Sequence, residues 1–460
     1  LINSLPKRKQ GLAGRLSYAY DGKYMAEVNM GYNGSENFAK GHRWGFFPSI
    51  ALGYNISEES FFEPLRKVIT STKLRGSWGL VGNDQIGGER FIYMPTINLS
   101  GKGFTTGIDQ NYGLSGPVYT RYENNSITWE VGEKINLGID LQLLNSLNIV
   151  VDIFRETRRD IFQKKGTIPT YLGTGNTDVF GNLAEMKNQG LDLSIDYNKA
   201  FSKDFYMNFK GTFTYAHNEI TKYDEAPKYA FQSKVGQSAN VSQGYLSNGL
   251  FLDEAEIDRY NQQMGSTLGA GDIKYLNVSN MHGYGDDIVD VDDWTWIGNP
   301  TVPEIVYGFG PSFKYKNWDF SFFFQGVAKT SLFMSGFHPF GDNSLRNVLQ
   351  FVANDRWSPT NQNVDAKYPR LTRKTSLNNT NPGNSGRTSD YWMRDGSFLK
   401  LKNAEVGYTF KGWRFYLSGQ NLLTFSPFDY WDPEMGSGSG MKYPTQRIIN
   451  FGIQVTFNNK

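Results

Sequence analysis

The segment "RIINFGIQVTFNNK", residues 447–460, alternates apolar and polar side chains almost one for one. Ile449, Phe451, Ile453, Val455 and Phe457 fall on one side, and Asn450, Gly452, Gln454 and Thr456 on the other. Successive side chains of a strand point to opposite faces, so this is a ribbon with one oily and one wettable face. The same alternation recurs along the whole chain. "GLAGRLSYAY" meets "KYMAEVNMGY" across Asp21-Gly22, a hairpin signal. "KINLGIDLQLL" carries Ile135, Leu137, Ile139 and Leu141 on one face and turns at Asn145-Ser146 into "LNIVVDIFRE". Further pairs turn near residue 200, at Lys316-Asn317 and at Lys411-Gly412.

Alternation alone does not separate a membrane barrel from a soluble sandwich. Segment length and loop order do. Most segments run about ten residues or more, whereas globular strands average about five or six and about 9–11 tilted residues cross a bilayer. Tight turns alternate with long loops near 160–185, 218–302, 330–396 and 424–446, as in an outer-membrane barrel with short turns at one rim and long loops at the other. The expectation is an all-β, transmembrane antiparallel barrel. Thirteen spanning strands begin near 11, 23, 43, 71, 126, 147, 186, 204, 302, 318, 396, 413 and 446, and "RFIYMPTINL" (90–99) belongs to an external loop. An odd number of antiparallel strands does not close evenly, and open edges in lipid cost several kcal/mol per unpaired group. The chain is therefore expected to be part of a larger barrel.

Composition agrees. The longest apolar run is "FIYM" (91–94), far below the roughly 20 residues of a spanning helix. A formal charge of +2 without basic runs gives no nucleic-acid footprint. Cysteine is absent, which excludes disulfides and thiolate metal sites. "LINSLPKRKQG" (1–11) lacks an initiator Met and a signal core, so either a leader has been removed or the natural start lies elsewhere.

Several stretches resemble the SusC-like (RagA/SusC) TonB-dependent outer-membrane transporters. They include "LRGSWGLVGND" (74–84), "ITWEVGEKINLGIDLQLL" (127–144), "EMKNQGLDLSIDY" (185–197), "IGNPTVPEIVYGF" (297–309), "DRWSPTNQN" (355–363), "SDYWMRDGSFLKLKNAEVGYTF" (389–410) and "YLSGQNLLTFSPFDYWDPE" (416–434). The resemblance implies a 22-stranded barrel of which this chain supplies the C-terminal strands. The N-terminal plug domain, the earlier strands and the segment contacted by the TonB complex would lie outside it. It also implies a SusD-like surface lipoprotein as lid, and active import of an oligosaccharide or a peptide. A passive pore or surface adhesin on a similar barrel is the alternative, and a soluble all-β glycan-binding protein or enzyme is a third reading.

Phe457, the aromatic residue near the end of the last strand, matches the family's barrel-assembly signal and also suits a lipid-facing belt. Aromatic pairs in the long loops, Trp294 and Trp296, Tyr391 and Trp392, Tyr430 and Trp431, are candidates to lie against a sugar's C–H face, with Arg394, Asp395 and Arg370 at the mouth. "NMHGYGDDIVDVDD" (280–293) falls where family members often carry a calcium loop. Here His282 and Tyr284 stand at the first two ligand positions and Asp287 at the glycine position, leaving Asp286, Asp290 and Asp293 as oxygen donors. A solvated acidic loop is preferred to calcium, and no other cofactor is expected. Enzymatic signatures are absent. "GTGNTD" (173–178) lacks a flanking strand and helix, His42, His217, His282 and His338 lack ligand spacing, no Gly-x-Ser-x-Gly occurs, and adjacent Asp286 and Asp287 are commonplace in a polar loop.

Overall fold

A computed structural model of the chain describes residues 6–86, 90–169, 171, 177–260, 262–263, 268–284, 286–336, 347–372 and 388–457. Its main feature is a thirteen-stranded sheet whose strands neighbour one another in chain order. They are β1 (Lys9–Tyr20), β2 (Tyr24–Ser35), β3 (Trp44–Asn55), β4 (Ile69–Asn83), β5 (Glu130–Leu143), β6 (Leu147–Lys164), β7 (Phe180–Ala200), β8 (Phe205–Lys222), β9 (Ile305–Tyr315), β10 (Trp318–Ala328), β11 (Phe398–Phe410), β12 (Trp413–Phe425) and β13 (Ile448–Val455). The expected antiparallel all-β fold is the one found. Residues 90–99 stay out of this sheet, and Thr96–Thr106 pairs with Tyr112–Arg121 as a separate hairpin.

Two strand starts differ from expectation. β5 begins at Glu130 rather than near 126, because residues 127–129 serve a small core and the Thr128 amide donates to Asn182 Oδ1 at 2.9 Å. β7 begins at Phe180 rather than near 186. Past the apolar band both faces of a strand meet water, so pairing continues through Asn182, Glu185 and Lys187 while the alternation fades.

The short connections are 21–23, 144–146, 201–204, 316–317 and 411–412, and they alternate with the longer ones. Asp21 and Gly22 both have positive φ, as do Leu144 and Asn145, the backbone of tight hairpins that match strand twist. The second of these turns is thus centred one residue earlier than the sequence suggested. Residues 56–68 break the alternation. They form two 3-10 turns, Ile56–Glu58 and Ser60–Leu65, anchored by Glu59, which accepts from Tyr24 Oη at 2.6 Å and Tyr54 Oη at 3.3 Å.

The chain divides into two compact units. The first comprises Leu1–Asp196, Tyr215–Ala226 and Lys234–Ser238. Its oily rows are its exposed rows. Leu137 and Ile153 stand opposite each other on β5 and β6 at 62% and 61% exposure, and Leu12, Leu16, Val28, Ile50, Leu52 and Ile135 are exposed with them. On the other face, Arg75 reaches from β4 to Asp140 (2.7 Å) on β5 and Asp152 (3.0 Å) on β6. A sheet folded in water turns its apolar face to a core and its ions to solvent. This one leaves its apolar face bare and gathers its ion pairs on the other face, an arrangement that suits an apolar solvent on the outer side. A small true core of Phe38, Ile86, Ile92, Ile127 and Trp129 lies under its loops.

The second unit comprises Tyr197–Thr214, Pro227–Ser233 and Ala239–Lys460. The same inversion holds there. Phe320, Phe322, Phe415, Leu417, Phe451 and Ile453 are exposed, while Arg414 on β12 pairs with Asp319 on β10 and Glu405 on β11. Phe415 faces Ile453 and Leu417 faces Phe451, so the closing segment joins the oily row. The main hydrophobic core of this unit is not in the sheet. It is a loop body built on Tyr245, Leu250, Ile273, Tyr275, Trp357, Tyr368, Trp392 and Phe428.

Candidate functional site

Described segments of three long connections of the second unit, within 239–304, 329–397 and 426–447, supply this body. Short antiparallel pairings hold it: Ser242–Gly244 with Thr295–Ile297, Ser247–Leu250 with Ile273–Tyr275, and Ser331–Phe333 with Met393–Asp395. Such ladders satisfy backbone groups that a buried loop would otherwise leave unpaired. Asp272, buried, accepts two bonds from Arg370 (2.5 and 3.0 Å) and one from the Gly269 amide (2.9 Å). Arg370 is therefore a structural partner in the loop body.

The aromatic candidates separate once their surroundings are known. Trp392, 1% exposed, lies edge-on to Tyr391 and Tyr368, with ring centroids 4.9 and 5.6 Å away. Tyr391 donates its hydroxyl to the Ala366 carbonyl at 2.7 Å, and burial pushes that hydroxyl's pKa well up. Trp294 packs edge-on to Tyr245 at 5.9 Å, and Trp296 donates its indole N–H to the Ser233 carbonyl at 2.9 Å. Arg394 is turned onto the carbonyls of Tyr391 (2.7 Å) and Met393 (2.8 Å). Asp395 is exposed and caps the Ser397 amide at 2.9 Å.

Tyr430 and Trp431 are placed differently. They line an open cleft of about 540 Å³, together with Gln350, Phe351, Asn354, Lys367, Asp429 and Gly440. Phe351 sits 4.8 Å from Tyr430, Phe428 backs Trp431 at 4.7 Å, and the Lys367 ammonium lies 5.5 Å from the Tyr430 ring centre. Gly440 passes so close that an added Cβ would come within 2.7 Å of the Trp431 ring, so only glycine lets the loop lie flat there. Sequence reasoning missed Asp429 although it adjoins the aromatic pair. Gln350, Asn354 and Lys367 carried no signal, because only folding brings them to the pair.

The acidic loop corrects an expectation. It is not simply solvated, since Asp293 is fully buried. Its Oδ1 accepts the Ser279 amide at 2.9 Å and its Oδ2 the Asp290 amide at 2.8 Å, while Asp290 Oδ1 accepts the Asp292 amide at 2.8 Å. This is a capping box around a single 3-10 turn. Asp286 Oδ1 is taken by Asn277 Nδ2 and the Ile288 amide, each at 3.2 Å. Calcium needs several oxygens converging on one point; here Asp286, Asp290 and Asp293 each accept from a backbone amide, and Asp286 also from Asn277 and the Ser279 hydroxyl. Among the described residues no group of three or more acidic or histidine side chains is placed to hold a metal. His338, Gly285 and residues 173–176 lie outside the described residues. Phe457 lies two residues past β13 and is exposed.

The sequence matches the family described as TonB dependent receptor-like, beta-barrel, over residues 3–422. It is 27% identical to TonB-dependent receptor P3 of Formosa agariphila, over 96% of this chain and 45% of that protein. It is 28% identical to TonB-dependent receptor SusC of Bacteroides thetaiotaomicron, over 96% of this chain and 43% of that protein. The chain thus spans less than half the length of these relatives. The structure of the RagAB peptide transporter superposes with a TM-score of 0.71 over 98% of this chain and 48% of that one, at 21% identity, and shares the fold. Sheet, inverted polarity and similarity agree: the chain belongs to the TonB-dependent receptor family, as part of a SusC/RagA-type outer-membrane barrel.

Proposed function

We propose that this chain forms the C-terminal barrel strands of a receptor that actively imports a bulky nutrient, an oligosaccharide in preference to a peptide, across the outer membrane. The plug, the earlier strands and the segment that engages the TonB complex belong to the rest of the receptor, and a SusD-like surface lipoprotein closes over the loop side. The observation that carries this reading is the inverted sheet joined to a large folded loop body. A wall that is oily outside and charged inside suits a water-filled, plugged passage, and a loop body packed on its own core gives a captured ligand a formed surface. No bond of the ligand need change. In this mechanism affinity comes from many moderate contacts, and TonB-driven plug movement releases the ligand inward.

The test is uptake in cells carrying the intact receptor and lipoprotein, with and without TonB. Import should fall to background when TonB is deleted. Equal uptake in both strains would instead support a passive pore.

A further inference from the structure

We propose that the cleft around Tyr430 and Trp431 is a binding site for a neutral sugar unit of the imported ligand. This rests on the import reading and adds to it a place and a chemical class. The cleft combines two kinds of surface. Its aromatic side is Phe351, Tyr430 and Trp431, held by one another and by Phe428. Its polar side is Gln350, Asn354 and Asp429, whose side chains are exposed and make no hydrogen bond among the described residues. Two amides offer both donors and acceptors, and a carboxylate offers acceptors only. That set suits hydroxyl groups, which donate and accept in turn, while the C–H face of the ring lies on the aromatic side.

Two features decide the class. A bound peptide commonly extends a sheet, using an unpaired strand edge. The lining residues sit on the short helix Gln350–Asn354 and on irregular loop, and none belongs to a strand. An extended peptide therefore finds no ladder here. The charged lining residues are one cation, Lys367, and one anion, Asp429, so a polyanionic glycan finds no net field. Lys367 is exposed and hangs over the Tyr430 ring, where an incoming sugar would displace it into solvent.

The experiment uses the intact receptor in detergent with its lipoprotein. Maltohexaose, cellohexaose, xylohexaose, mannohexaose and laminarihexaose are titrated by calorimetry, and a tryptic peptide pool is tested for competition. At least one neutral hexasaccharide should bind. Asp429→Asn and Tyr430→Ala should each weaken that binding tenfold or more, and Lys367→Met should change it less than threefold. Asp429 is exposed, and its replacement by Asn keeps the side chain's size, so the Asp429→Asn receptor keeps its fold and decides the matter if Tyr430→Ala disturbs the loop. The proposal is overturned if no member of the panel binds, if the peptides bind instead, or if the sugar binds equally to the Asp429→Asn receptor. Any of these leaves TonB-dependent uptake standing, since that is read independently by deleting TonB.

Discussion

Lys400 shows how a single residue organises the rim. It is the third residue of β11 and is 0% exposed. Its ammonium meets Asp432 Oδ2 and Glu434 Oε2, both at 2.7 Å, and so ties the loop between β12 and β13 to the sheet. Burial pushes the two carboxyls up; the hydrogen bonds and charge of Lys400, with those of Lys402 at Glu434 and the Glu434 amide at Asp432, outweigh it and leave both below their ordinary values. Lys400→Met removes the shared partner and should cost about 3 kcal/mol, the low end for a buried pair, because both acids keep some contact with solvent and Glu434 keeps Lys402 at 2.8 Å. Proteolysis within residues 426–447 should become several-fold faster, and an unchanged rate would refute the tie. The pH dependence has a definite sign. Carboxylates with depressed pKa stabilise above their unfolded values and lose that contribution as pH falls through the folded ones. The loop should loosen below about pH 4, and the Lys400→Met receptor should show a flatter profile.

At the scale of the strand, everything turns on which face meets which solvent. Leu137 lies in the outward row of β5 and Asn136 in the inward row. Leu137→Arg should destabilise the barrel by about 2–4 kcal/mol if it sits near mid-membrane, and Asn136→Arg by no more than about 1 kcal/mol. Refolding of the intact receptor into lipid vesicles in a denaturant series reads both. Equal costs would mean that the two faces see the same medium. The last strand carries a second proposal, that Phe457 serves barrel assembly. Phe457→Ala should slow accumulation in the outer membrane in a pulse–chase, while the receptor that does assemble imports normally.

For the whole molecule, the edges matter most. Within the described residues β1 pairs only with β2, and β13 only with β12. Unpaired groups in hydrocarbon cost several kcal/mol each, and the relatives are more than twice as long as this chain. We propose that strands of the preceding part of the receptor cover both edges. In the intact receptor, the amides of β1 and β13 should exchange with deuterium as slowly as those of β5. Fast exchange along either edge would show it open.

The sheet was legible because a period of two leaves its mark on every strand that stands between two solvents. β6, β10 and β12 begin where the alternation begins, and even the segment 90–99 was excluded correctly by parity. Where both solvents are water the mark fades, so the early start of β7 was not visible. In the loops no period operates. Trp392 and Tyr430 look alike in the sequence, yet one is sealed in the loop core and the other lines a cleft. Asp293 read as a wet acid and is a buried cap. The order of apolar and polar residues by itself determined the strands, their succession and the oily face, since these depend on neighbours in the chain. Tertiary structure alone decided which loop side chains stay open to a ligand, because Gln350, Lys367 and Asp429 become neighbours only when distant segments pack on one core.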